Sequence, residues 1–346
     1  MLVKLSQILS SLESGGRPKG GASLYEIGIP SIGAEHLDGN GGFNFKSVKY
    51  IPEDYFNGLK SGIIEKENIL IVKDGATTGK VSFVCYEFPF DKAAVNEHIF
   101  LLKIDKSKAN PRFTFHYLKC PKGQREIMRN FRGATVGGIS RGFVNLVKFE
   151  LPPLPVQLHI ANILSKAENL IAQRKESIRL LDEFLKSTFL EMFGDPVRNE
   201  KGWETITLGE LFRVASGEGL TSDKMIAGGK HRVYGGNGVI GYHDEYMFEE
   251  SRIVIGRVGY YCGAVHMTEP MSWVTDNALY IKELFRESNI IYLKYFLSYL
   301  NLNRVAGKSA QPLVSGNRIY PIKTFYVPIE LQNQFAQIVE KTEALK

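Results

Sequence analysis

Leu151–Leu164 reads LPPLPVQLHIANIL, and Tyr326–Val339 reads YVPIELQNQFAQIV. Pro153 aligns with Pro328, Gln157 with Gln332, Ala161 with Ala336 and Ile163 with Ile338, every pair 175 residues apart. TVGGIS (Thr135–Ser140) aligns with AQPLVS (Ala310–Ser315) at the same separation. Further upstream, NILIVKDGATTGKVSFV (Asn68–Val84) aligns with SRIVIGRVGYYCGAVHM (Ser251–Met267) at an offset of 183, so small loop insertions separate the copies. On this alignment Thr77-Thr78 faces Tyr260-Tyr261. One globular unit is therefore written twice, each copy followed by a helix.

Between the copies, Val156–Phe193 contains neither Gly nor Pro and is closed by Gly194-Asp195-Pro196, a strong helix stop. Leu164, Ile171, Ile178, Leu185 and Met192 recur every seven residues, with Ala167, Arg174, Leu181 and Thr188 at the second seam position. A strict period of seven predicts a coiled-coil seam. The second copy ends in a helix of the same register, short or truncated beside its counterpart, and antiparallel pairing of the two is expected. The predicted organisation is a globular unit at residues 1–152, a spacer helix at 153–195, a second unit at 196–328 and a second helix at 329–346. Each unit reads as mixed α/β. Strands are expected at Ile69–Lys73, Lys80–Cys85 and His98–Ile104, and at Arg252–Ile255, Gly263–His266 and Ala278–Ile281. Helices are expected at Pro111–Leu118, Gly123–Phe131 and Asn289–Leu300.

The chain of 346 residues accommodates two cores of ordinary domain size. Its 43 Lys+Arg against 37 Asp+Glu give a net charge of +6, a mild preference for a polyanionic partner. Three scattered cysteines form neither a disulfide framework nor a metal-ligand pattern, which fits a reducing cytoplasm. No secretory leader or membrane-length apolar run stands out, so no membrane partner is expected.

Two diverged units, each followed by a helix that starts Pro-x-x-x-Gln (Pro153–Gln157, Pro328–Gln332), form a recognisable arrangement. With FLKSTFLEMFGDP closing the central helix, WETITLGELF (Trp203–Phe212) opening the second unit and LVKLSQIL (Leu2–Leu9) opening the first, the whole chain resembles the DNA-specificity subunit of type I restriction–modification systems. The resemblance implies two similar target-recognition domains separated by long helices in an antiparallel coiled coil, a pseudo-twofold internal repeat. Each domain would read half of an asymmetric, bipartite site in double-stranded DNA, with the helices setting the spacer. It further implies a chain without catalysis or cofactor. Two modification subunits would bring S-adenosylmethionine for adenine methylation, and restriction/translocase subunits would use ATP and Mg.

Such a reader needs Lys and Arg for phosphates and polar side chains for base edges. In the first unit the candidates are Arg17 and Lys19 in SGGRPKGG, Thr77, Thr78 and Lys80 in DGATTGK, and Arg132 and Arg141 in RGATVGGISRG. In the second they are Lys230 and Arg232 in GGKHR, Asn237 in YGGNG, Arg257, Tyr260 and Tyr261 in RVGYYCG, and Lys308, Gln311 and Arg318 in GKSAQPLVSGNR. DGATTGK is not a phosphate-binding P-loop, because the spacing differs and Val81 follows Lys80. Asn110-Pro111-Arg112-Phe113 does not qualify as an Asn-Pro-Pro-Tyr methyltransferase motif. A two-lobed protein-binding scaffold is the competing reading, and a specificity subunit serving a fused methyltransferase–nuclease partner is the close variant.

Overall fold

A computed structural model describes residues 2–22, 26–133, 137–307 and 312–346. The chain divides into two compact units, Met1–Ala172 and Gln173–Lys346. In the first unit the strands are β1 (Leu2–Lys4), β2 (Leu9–Ser14), β3 (Ile29–Ile32), β4 (Lys49–Ile51), β5 (Ile69–Val72), β6 (Val81–Phe83), β7 (Ala94–Val95), β8 (Ile99–Ile104) and β9 (Lys148–Glu150). The helices are α1 (Glu53–Asn57), α2 (Pro111–Lys119), α3 (Pro121–Met128) and α4 (Phe143–Leu146), with α5 (Leu154–Phe193) leaving the unit. The order β2-β8-β5-β6 makes an antiparallel sheet, and β4-β3-β7 a small mixed one. β1 pairs with β9 to close the unit just before α5.

The second unit repeats this strand for strand: β10 (Glu204–Thr207), β11 (Phe212–Ser216), β12 (His231–Gly235), β13 (Gly238–His243), β14 (Ile253–Gly256), β15 (Val265–Met267), β16 (Trp273–Val274), β17 (Ala278–Leu284) and β18 (Lys323–Tyr326). Its helices are α6 (Leu208–Leu211), α7 (Ile290–Leu300), α8 (Gly316–Ile319) and α9 (Ile329–Glu343). The sheets are β11-β17-β14-β15 and β13-β12-β16, and the closing ribbon is β10-β18.

The central strands are apolar on both faces because two clusters need them. Ile69 and Ile71 point into one core with Phe100 and Leu102, while Leu70 and Val72 point into another with Ile99 and Leu101. This is the two-residue alternation of a strand buried on both sides.

The Pro-x-x-x-Gln motif has a definite job. Gln157 is buried at the start of α5. Its Oε1 accepts the Asn110 backbone N–H at 2.8 Å, and its Nε2 donates to the Pro152 carbonyl at 2.7 Å. Asn110 in turn caps α2 through the Phe113 N–H. Gln332, equally buried, repeats this with Asn289 N at 3.0 Å and the Val327 carbonyl at 2.7 Å, and Asn289 caps α7. In the first unit Glu168 adds a charged hub, pairing with Lys119 at 2.7 Å and Arg112 at 3.3 Å.

α5 spans 40 residues, about 60 Å at 1.5 Å per residue. It ends at Gly194, whose φ of +79° is easy only for glycine, and the Trp203 indole N–H caps the Phe193 carbonyl at 2.9 Å. Leu185, Phe189 and Phe193 lie one turn apart and are buried in the second unit's core. There Phe335 of α9 packs on Phe189 and Phe193 with ring centroids 5.4 and 5.6 Å away. Farther along, Lys346 Nζ meets Asp182 at 2.5 Å, so α9 runs antiparallel to α5. Coverage of the seam follows from this. Leu185 is buried, Ile178 and Met192 are half-buried, and Leu164 and Ile171 stay 40% and 57% exposed.

Replacing Gln157 or Gln332 by Leu is expected to cost about 1–3 kcal/mol for each buried group left unpaired. Denaturant unfolding of the variants measures the loss, with faster hydrogen exchange at the Asn110 or Asn289 amide as its local signature.

Candidate nucleic-acid interface

In the first unit, β5 runs into the 73–80 loop, which turns on Gly75 and Gly79 with φ of +91° and +87°. Three other loops meet it. Lys73 Nζ donates to the Glu97 carbonyl at 2.7 Å, and His98 Nδ1 lies 2.5 Å from Asp74 Oδ1. Arg17 Nε pairs with Glu97 Oε1 at 2.9 Å, which brings in the 14–21 loop. Gly75 N donates to the Gly137 carbonyl at 3.1 Å and Ile139 N to the Lys73 carbonyl at 2.8 Å, which brings in the 132–142 loop. Arg17, Thr77, Thr78 and Arg132 are thus gathered at one end of the sheet, with Lys19 exposed two residues beyond Arg17. The Thr78 hydroxyl is committed to the loop itself, donating to the Gly75 carbonyl at 2.7 Å. Lys80 Nζ donates to the Leu37 carbonyl at 3.3 Å, and the Arg141 guanidinium donates to the Leu12 carbonyl.

Sequence reasoning missed the charged group Lys73, Asp74, Glu97 and His98. Its Glu97 and His98 line a 390 Å³ cleft together with Arg17, Ser31, Glu35, Lys49 and Asn96. Glu97 Oε2 is buried there without a hydrogen-bond partner.

The second unit reproduces the backbone of this arrangement. Gly259 and Gly263 take φ of +80° and +84°. Gly259 N donates to the Pro312 carbonyl at 3.0 Å and Val314 N to the Arg257 carbonyl at 2.8 Å, the counterparts of the Gly75 and Ile139 bonds. Arg257 stands where Lys73 does, its Nη1 donating to Ser216 Oγ at 3.1 Å and to the Asp276 carbonyl at 3.3 Å. These bonds fix the loop register and correct the alignment of the tips by one residue. Tyr260 matches Ala76, Tyr261 matches Thr77, and Cys262 matches Thr78.

Asn237 lies in the β12–β13 turn beside Gly236, which approaches Gly256 closely enough that a Cβ on Gly256 would meet the Gly236 carbonyl oxygen at 2.4 Å. Arg318 is near the same loops and donates to the Val305 carbonyl at 3.3 Å. Lys308 and Gln311 lie outside the described residues. Lys230 and Arg232 are not brought to this cluster. They sit toward the other end of β12, with Arg232 about 10 Å from Gly235 by strand rise, and Arg232 Nη1 pairs with Glu269 at 2.9 Å. Two cations escaped the sequence reading: Arg304 and Lys323 line a second 390 Å³ cleft with Arg318, with no acidic residue in its wall.

These features suit a surface that contacts a duplex at loop tips held by a rigid base. No helix of the described residues is long and apolar enough to cross a membrane. The sequence family described as type I restriction modification DNA specificity domain matches residues 1–180 and 200–346. The EcoprrI type I restriction enzyme specificity subunit of Escherichia coli is 24% identical over 308 residues, covering 83% of this chain and 74% of that protein. The MjaVIII specificity subunit of Methanocaldococcus jannaschii is 24% identical over 152 residues, 44% of this chain and 34% of that protein. The crystal structure of a type I system S subunit from M. genitalium superposes with a TM-score of 0.70 at 19% identity, covering 100% of this chain and 89% of that one.

Exposed Arg132 and anchored Arg257 are expected to behave differently on DNA. Arg132→Ala should reduce the slope of log affinity against log salt by about 0.9, the loss of one phosphate contact. Arg257→Ala should weaken binding by loosening the loop while leaving that slope unchanged. Salt titrations of both variants by fluorescence anisotropy measure the contrast.

Proposed function

The chain belongs to the type I restriction–modification DNA specificity family, and from that membership we propose how it recognises its target. DNA target recognition is its role, and the enzymatic activities belong to other subunits. Each unit reads one half of a bipartite, asymmetric site in double-stranded DNA, through the loops gathered around 73–80 in the first and 257–263 in the second. The observation that carries this reading is the repetition of one anchored loop frame with different tips, Ala76-Thr77 in one copy and Tyr260-Tyr261 in the other. Two readers on one chain bind cooperatively, because engagement of the first holds the second at high effective concentration near its half-site.

In this proposal α5 and α9 act as the ruler for the unspecified spacer. A continuous helix is stiff where a Gly/Ser linker is not, which supports sharp spacer discrimination. The exposed seam residues Leu164 and Ile171, with Leu170 beside them, are assigned to contacts with the modification subunits. Those two subunits supply S-adenosylmethionine and methylate adenine. Restriction subunits, where they join, supply ATP- and Mg-dependent translocation and cleavage.

Co-expression with the modification subunit, followed by genome-wide mapping of methylated adenine, is expected to return one bipartite motif that disappears when this chain is omitted. An intact complex that yields no motif would favour the protein-binding scaffold instead. A second expected outcome concerns the ruler. Seven residues inserted into α5, and into its partner helix where they pair, lengthen it by about 10 Å, or about three base pairs, so the mapped spacer should grow correspondingly with both half-sites unchanged.

A further inference from the structure

Tyr260 stands at the tip of the 257–263 loop with 88% of its surface exposed. The loop beneath it is held firmly. Cys262 is buried and its carbonyl accepts Asn303 Nδ2 at 2.9 Å. Gly263 packs so tightly that a Cβ there would meet the Asn303 backbone nitrogen at 2.5 Å. Arg257 and the 312–314 segment clamp the loop's first half. The Tyr261 ring props the Tyr260 ring edge to face, with centroids 5.1 Å apart. A large aromatic surface is therefore held out in water on a fixed support, against the hydrophobic effect. The first unit has the same loop backbone with Ala76 at this position, so the fold does not require the ring.

Resting on the DNA-recognition reading above, we propose that Tyr260 is a stacking wedge. When the second unit binds its half-site, a base step opens and the Tyr260 ring replaces the lost stacking partner. Every base has a π face, so the contact carries no donor–acceptor code of its own. Selectivity arises because some steps, pyrimidine–purine ones above all, unstack more easily than others. The second half-site is then read partly through its deformability. The first, facing Ala76, is not. Arg257 is spent on Ser216 and Asp276, so the wedge works without adding a phosphate contact at its base.

The test uses the full chain with its modification subunit and duplexes of the methylation-mapped target. 2-Aminopurine replaces, one at a time, each adenine of both half-sites except the one that becomes methylated. Emission is expected to rise severalfold on binding at a position in the second unit's half-site and to stay flat throughout the first. Tyr260→Ala should abolish that rise and weaken binding roughly 5- to 150-fold, with the salt slope unchanged. Tyr260→Phe should preserve both the rise and the affinity, because the ring suffices. Specific binding with flat emission across the second half-site would overturn the wedge and leave DNA recognition standing. A Phe variant as impaired as the Ala variant would overturn it in favour of a hydroxyl contact to a base edge. Absence of any sequence-specific binding by the wild-type complex would overturn both the wedge and the reading it rests on.

Discussion

A buried glutamine at the start of each long helix couples three elements that are distant in sequence. Gln157 joins α5, the carbonyl of Pro152 after β9 and the cap of α2, and Gln332 joins α9, Val327 and the cap of α7 in the same way. A primary amide buried without partners is costly, so the side chain is tolerated only when all three elements are in place. The helix therefore leaves each unit from one position, and that position is inherited with the repeat. The coverage of the seam and the contacts of α9 on Phe189 and Phe193 both follow from where the helix starts.

Inside each unit the loops are anchored by backbone bonds, and this explains how two copies can share a frame while presenting different chemistry. The bonds from Gly75 and Gly259 to the 137 and 312 carbonyls use no side chain, so tip residues are free to change. Lys73 and Arg257 differ as residues yet do the same work, each donating to the carbonyl of an acidic residue, Glu97 or Asp276. Tip residues are among those that differ, as Ala76 and Tyr260 do, and the backbone frame imposes no constraint on them.

The repeat, the central helix and the main strands were legible because periodicity and glycine-proline punctuation act locally. Ile69–Val72 and Ala278–Leu284 appear close to where their apolar runs place them. The sheet order was not legible, since each small sheet is completed by a two-residue strand with no usable alternation. The tip alignment slipped by one residue even though the signal was present: both loops read Gly-x-x-x-Gly, Gly75 to Gly79 and Gly259 to Gly263, and the positive φ of these glycines sets the true register. The charged group around Glu97 had no local signature, because its partners come from Arg17, Lys73 and Asp74, many residues away. Arg232 and Arg257 were plausible ligands by type, but a sequence shows charge without showing what already holds it.

That distinction bears on how recognition is divided between charge and shape. Arg17 sits in an ion pair with its side chain 64% exposed, and such pairs contribute little, so a phosphate can replace Glu97 as its partner at small cost. Arg257 and Arg318 bond to backbone carbonyls and hold loops in position. Releasing them for phosphates would undo the geometry that presents the tips. Only part of the positive charge is thus available to neutralise DNA, in a chain whose net charge is just +6. A reader whose loop-anchoring arginines are committed draws less on those groups for sequence-independent affinity and more on the fit of its tips. In this chain the arginines that build the frame and the residues proposed to meet the duplex are largely separate sets, which lets the tips change while the frame remains.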